Sequence, residues 1–323
     1  MTRYILRRLV SLFFVMLVVS MIVFVLMNNI PGGPFSLGER GYTPDALANL
    51  ERKYGLDKPL GERYLNFLVG AVQLDFGNSF AVAGNPPVTQ VILRTWPVTL
   101  HVGLYTILVS FTLGITMGII SAYRRNSFID NAVTFTATLG ITLPNFIIAT
   151  FLLLLFGYQN GWGAPNKWII PPLWEGGPAI LSQDYFLPVI TYALAPLALV
   201  ARYTRSSVSD ALGADYVRTA RAKGLSDRMV MMRHVLRNAL IPMVTVLLPQ
   251  IPNILTGSLF IEVVFGIPGL GKFFVTSIFS RDYPMIMGLV VLVAFFWGIM
   301  YLITDILYTL IDPRIRLGGG AGR

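Results

Sequence analysis

"LVSLFFVMLVVSMIVFVLMNNI", Leu9 to Ile30, holds no charged residue over a length that, as a helix, covers a hydrocarbon core of about 30 Å. Arg3, Arg7 and Arg8 stand before it. A basic start and an apolar run also describe a secretory signal, whose core is only about 7 to 15 residues long and ends at a small-residue cleavage site. This run is longer and no such site follows, so it reads as an uncleaved first span with its N-terminus in the cytoplasm. Five more stretches qualify: Val98 to Tyr123, Ala132 to Phe156, Phe186 to Tyr203, Leu240 to Phe265 and Tyr283 to Leu310. The expectation is an all-α membrane protein of about six transmembrane helices, with N- and C-termini cytoplasmic.

Composition agrees. Of 323 residues, 54% are hydrophobic and 13% charged, and the mean hydropathy is +0.66, too apolar for an ordinary soluble domain. The net charge of +9 suits nucleic acid in principle, but topology accounts for it. The proposed inside segments, with Arg202 at the end of its span, carry 16 basic residues against five acidic ones, and the outside segments nine of each. The excess therefore lies on one face, as the positive-inside rule requires, and no nucleic-acid partner is expected. The absence of cysteine excludes disulfides, thiolate metal sites and thiol catalysis.

Residues 1–95 read as the first span plus an extracytoplasmic cap, residues 96–312 as the core transmembrane domain with a cytoplasmic loop over 202–240, and residues 313–323 as a cytoplasmic tail. In the cap, "YTPDALANLERKYGLDKPLGERYLNFLVGAV" predicts two short amphipathic helices, with Thr43 as cap, Pro44 as first helical residue and Gly55 as stop. A second outside loop, "GYQNGWGAPNKWIIPPLWEGGPAILSQDYF", is rich in Gly, Pro and Trp and reads as an interfacial lid.

"ADYVRTARAKGLSDRMVMMRHVLRNALIP", Ala214 to Pro242, places Arg218, Arg221, Lys223, Arg228, Arg233 and Arg237 between two apolar stretches. Val217, Ala220 and Gly224 fall three and four apart, a narrow small-residue face flanked by Arg218 and Arg221. Ser226 caps a second helix with Met229, Met232, Leu236 and Ala239 at helical spacing. Pattern alone leaves two readings open: a hairpin resting on anionic lipid, or a device against which another protein pushes.

The stretch "RTARAKG", Arg218 to Gly224, resembles the Glu-Ala-Ala loop of ABC importer permeases. Ala220 and Gly224 match, Thr219 is a small substitute, and Arg218 stands where the general pattern has Glu. The later apolar-Pro element is Leu240, Ile241 and Pro242, farther from the glycine than usual. These departures resemble the peptide permease branch, as do "MTRYILRRL", "GLDKPLGERYLNFL", "DFGNSF", "FGIPGLGKFF", "SRDYP" and "IDPRIR". The resemblance covers nearly the whole chain. It implies the type I permease fold in a bacterial or archaeal cytoplasmic membrane. It further implies that Arg218, Thr219, Ala220, Arg221 and Gly224 form the ATPase-coupling element. The implied partners are a second homologous permease, one or two ABC ATPase subunits carrying ATP and magnesium, an extracytoplasmic substrate-binding protein or lipoprotein, and membrane lipids, with no cofactor on this chain. Di- or oligopeptides are the implied cargo, with nickel, opines or oligosaccharides as alternatives.

Other constellations weigh less. "GIPGLGK", Gly266 to Lys272, fits the P-loop pattern, but Phe273 replaces the magnesium-binding hydroxyl and the topology puts the loop away from ATP. It reads instead as a tight turn before a short helix. In the fifth span, Pro249 and Pro252 remove backbone donors while Gln250 and Asn253 supply polar groups at mid-membrane depth, a pattern of either a filled kink or a pathway lining. Glu262 and Asp305, near span ends, read as paired or snorkelling carboxylates. His101 and His234 fall on opposite sides, and no catalytic set or metal site stands out. A self-sufficient carrier or channel, the rival class, would need an intramembrane coupling site and internal repeats.

Overall fold

A computed structural model describes residues 2–31, 33–35, 43–157, 162 and 183–311. Most of the second outside loop and the tail after 311 lie outside the described residues. The described chain is helical, without a strand: α1 Thr2–Asn28, α2 Pro44–Lys53, α3 Leu60–Val72, α4 Val88–Tyr123, α5 Phe128–Thr142, α6 Asn145–Leu152 with a π turn Leu153–Gly157, α7 Gln183–Leu212, α8 Asp215–Ala222, α9 Asp227–Val230 with a π turn Met231–Val235, α10 Leu236–Leu247, α11 Gln250–Leu255, α12 Leu259–Val264, α13 Leu270–Phe279 and α14 Tyr283–Ile311. Five helical stretches are long and apolar enough to cross a bilayer, or six if the bent pair α5 and α6 is one span.

The 36-residue α4 is about 54 Å long at 1.5 Å per residue and organises the rest. Its first turns pack with Leu270, Met285 and Leu289 in one core cluster, while Ala122 near its end joins Val208, Val217 and Val235 in another. The cap and the α8 hairpin thus occupy opposite ends. Along the middle, α4 meets α7 through small residues: a Cβ on Gly114 would stand 2.8 Å from Val200, and one on Gly118 would stand 2.5 Å from the Thr204 Cβ. Where lipid removes the hydrophobic drive between spans, such close approach is what holds helices together. The terminal helices run antiparallel, with Tyr4 Oη and Arg8 bonded to Asp305 at 2.8 and 2.7 Å and Tyr283 Oη donating to the Met27 carbonyl at 2.8 Å. Both ends of this pair therefore lie on the hairpin side.

The cap follows its sequence signals. Thr43 Oγ1 accepts from Ala46 N–H, Pro44 opens α2, and Gly55 adopts φ +65°. There the Leu56 and Gly55 amides reach back to the Glu51 and Arg52 carbonyls, closing the helix in a Schellman turn.

Two expectations need correction. The run Ala132 to Phe156 is not one straight span, because α5 and α6 meet at a bend of 100°. Leu143 precedes Pro144 and takes extended angles, φ −80° and ψ 126°, since the proline ring excludes helical geometry from the residue before it. The spacing of Met229, Met232, Leu236 and Ala239 does not run along one regular α-helix either. Met229 and Met232 are exposed, while Val230, Val235, Ala239 and Met243 point inward, because the π turn over Met231–Val235 shifts the register by a residue.

Candidate functional site

The hairpin begins where α7 ends. α8 stops at Gly224, which takes φ +79° with open space where a Cβ would stand. The Leu225 and Gly224 amides donate to the Ala220 and Arg221 carbonyls, a second Schellman turn. Of the five residues singled out, Arg218, Thr219, Arg221 and Gly224 are exposed, and the two arginines are held loosely by Asp215 and Asp227 at 3.5 and 3.4 Å. Ala220 behaves differently. With Val217 it is buried on the Val230, Val235 and Ala239 cluster, so two of the three residues of the small-residue face point into the chain's own core and Gly224 alone stays outside. The outward face is the charged one.

A half-buried ion pair braces this end. Arg205 on α7 donates from Nε and Nη2 to Asp130 at 2.5 and 2.8 Å. Asp130 also accepts from Ser121 on α4 and from the Asn126 amide at 2.8 Å. Four donors from α4, its following turn and α7 converge on one carboxylate of α5, which fixes the platform that carries α8.

At mid-depth the fifth span breaks into α10, α11 and α12. Tyr192 Oη lies 3.2 and 3.1 Å from the carbonyls of Asn253 and Ile254 and joins the Thr256 hydroxyl and the Gly257 amide on them where the interruption ends the regular helical ladder. Asn253, Thr256 and Trp297 line a cavity of about 520 Å³ among α1, α11, α13 and α14. Gln250 is not among its walls.

Past α12, the glycine loop closes around Glu262. The Lys272 amide and the Thr99 hydroxyl bond its carboxylate at 3.1 and 3.0 Å, and Thr99 in turn accepts from the Leu270 amide. Side chains at Gly257 or Gly269 would collide with that carboxylate. The amides that would cradle a phosphate in a P-loop thus bind an internal acid.

Comparison with known proteins gives this arrangement a family. Residues 114–317 match the model of the binding-protein-dependent transport system inner membrane component, and residues 1–103 match that family's N-terminal model. The chain belongs to this family. The permease is 41% identical to the dipeptide transport system permease protein DppB of Bacillus subtilis over 98% of its own length and 99% of that protein. It is 36% identical to the oligopeptide transport system permease protein OppB of Haemophilus influenzae, covering 98% and 100%. An inward-facing structure of the MetNI methionine ABC transporter shares its fold with a TM-score of 0.52 at 16% identity, covering 69% of this chain and 97% of that one. The permease is a multi-pass membrane protein, and family membership places nucleotide chemistry outside this chain.

The bracing residues of the permease escaped the sequence reading. Asp130 was legible only as the third residue after the cap Ser127, whose Oγ accepts its amide. Tyr192 belongs to a span, where polar side chains are costly unless paired, which is a signal; Arg205 falls in the segment read as the cytoplasmic loop, where one more basic residue gives none.

Proposed function

We propose that this permease is one half of the membrane pathway of an ATP-driven ABC importer for di- or oligopeptides. In this reading, residues 1–95 form the first span and an extracytoplasmic cap, 96–312 the pathway domain and 313–323 a cytoplasmic tail. The membrane is the cytoplasmic membrane of a bacterium or archaeon, with both termini and the hairpin inside. A second homologous permease completes the path. One or two ATPase subunits bind ATP and magnesium, and an extracytoplasmic binding lipoprotein delivers cargo.

The observation that carries this reading is the near full-length likeness to named dipeptide and oligopeptide permeases. The hairpin geometry supports the mechanism. An exposed face of Arg218, Thr219, Arg221 and Gly224 meets the ATPase, and Val217 and Ala220 root α8 in the core shared by α4, α7 and α10. A displacement of α8 therefore moves spans instead of bending a loop. ATP shifts the population between inward-open and outward-open states only if the ATPase binds the two with different affinity. Asn253, beside the cavity at the broken span, lines the route, with Gln250 one turn away.

The test is reconstitution with the sister permease and ATPase. Gly224→Glu should insert normally and leave ATP hydrolysis measurable while uptake of a labelled dipeptide falls to background. Uptake at the wild-type rate would overturn the coupling assignment.

A further inference from the structure

We infer that the groove between α3 and the cap-side ends of α1 and α14 is a phospholipid site, with a lipid phosphate on the Arg63 guanidinium and acyl chains along the apolar face of α3. The depth of α3 is the first argument. Tyr64 Oη donates to the Leu17 carbonyl at 3.0 Å and lies 2.9 Å from Ser20 Oγ. Leu17 precedes the end of α1 at Asn28 by about 16 Å of helix. So α3 does not ride above the membrane; it lies against the apolar half of a span. Its Leu65, Val69 and Val72, on one face, are exposed, as are Val18, Ile22 and Val25 of α1. An amphipathic helix at this level puts its apolar face among acyl chains.

The second argument is the charge. Arg63 lines a cavity of about 440 Å³ with Phe24, Met27, Phe67, Asn66 and Tyr283, within the range of small-ligand sites. Its guanidinium sits 5.8 Å from the Phe24 ring centroid, and burial pulls its pKa below the usual arginine value. Among the described residues it has no ion-pair partner. Three acids stand near: Asp75 accepts from the Gly77 amide at 2.9 Å, Glu62 from Lys58 at 2.6 Å, and Glu51, which lines an adjoining pocket with Arg63, forms no ion pair with it. A half-buried guanidinium with unused donors in a fixed fork favours an oxygen-rich anion. At the boundary between headgroups and chains, the abundant one is a lipid phosphate. The apolar stripe beside it argues against a free water-soluble anion.

The site is tested on the full-length permease, purified with the subunits that accompany it, by native mass spectrometry during titration with phosphatidylglycerol or diacylglycerol. Wild type should bind phosphatidylglycerol at one site roughly tenfold more tightly than diacylglycerol. Arg63→Gln should abolish the difference, Arg63→Lys should retain part of it, and Arg52→Gln on the exposed face of α2 should leave it intact. Equal binding of both lipids by wild type would overturn the proposal, and so would an undiminished preference in Arg63→Gln. Displacement of phosphatidylglycerol by a dipeptide would overturn it too, by assigning the guanidinium to cargo carboxylates. The wild-type comparison decides the matter even if a variant misfolds. Neither arm measures transport, so the result is independent of the importer assignment.

Discussion

At the scale of single residues, buried carboxylates of this chain are held by several donors each. Asp282 is the fullest case. It is fully buried and accepts from Ser79 Oγ and from the amides of Phe80, Ala81 and Met285, the three amides at 3.1, 3.2 and 3.3 Å. One side chain thereby caps α14 and fastens the loop before α4 to it. Arg281, beside it, takes φ +54°, a left-handed angle that costs a side-chain-bearing residue about 1 kcal/mol. Its guanidinium offsets that by donating to the Pro31 and Gly33 carbonyls at 2.9 and 3.0 Å. Asp282→Ala strands four donors, so it should cost roughly 3 kcal/mol or more. Asp282→Asn, which keeps one accepting oxygen, should cost less than half of that. Thermal unfolding in detergent, followed by loss of the monodisperse peak, measures both; equal losses would show that the network contributes little beyond packing.

At the scale of helices, the Arg205 and Asp130 pair ties α7 to α5 and, through Ser121, to α4. Removing Arg205 leaves a carboxylate buried with fewer partners, so Arg205→Ala should destabilise by roughly 3 kcal/mol. In the double variant with Asp130→Ala the losses should fall short of additive by at least about 1 kcal/mol. Full additivity in that cycle would show the two groups act separately. How far such features can be read from sequence depends on range. The cap of α2, its stop at Gly55 and the stop of α8 at Gly224 were legible, because a helix end is decided by four or five consecutive residues. So were most spans, which depend on hydropathy summed over their length. The bend at Leu143 was encoded too, in Pro144, but a hydropathy window averages over one proline. The inward turn of Ala220 was not legible: a small residue at helical spacing suits any close neighbour, and only the folded chain says that the neighbours are Val230 and Val235.

At the scale of the whole molecule, the two ends of α4 pack in different cores, one with Leu270 and Met285 and the other with Val217 of α8, and under the proposed function rigidity between them would let a push at one end be felt at the other. The seam through Gly114 and Gly118 has no room for movement between α4 and α7, since even a methyl group at Gly118 would meet the Ala201 carbonyl at 2.6 Å. The helical ladder is interrupted elsewhere: at the bend between α5 and α6, and at the breaks flanking α11. Motion passed up from α8 through Val217 should therefore be released at these breaks, next to Asn253 and its cavity. This makes a prediction that separates docking from conduction. In the reconstituted importer, Arg218→Glu with Arg221→Glu reverses the outward charge of α8 while leaving Val217 and Ala220 buried. It should weaken association with the ATPase by at least about tenfold, as two lost charge pairs imply, and lower uptake in proportion. Asn253→Leu leaves the docking face intact. It should reduce uptake with ATPase association unchanged, since it replaces a polar wall at the break with an apolar one. Co-purification of the ATPase and dipeptide uptake, measured side by side, give both quantities. If the arginine reversal left association intact, α8 would not be the docking face, and if Asn253→Leu transported normally, the cavity at the broken span would lie off the route.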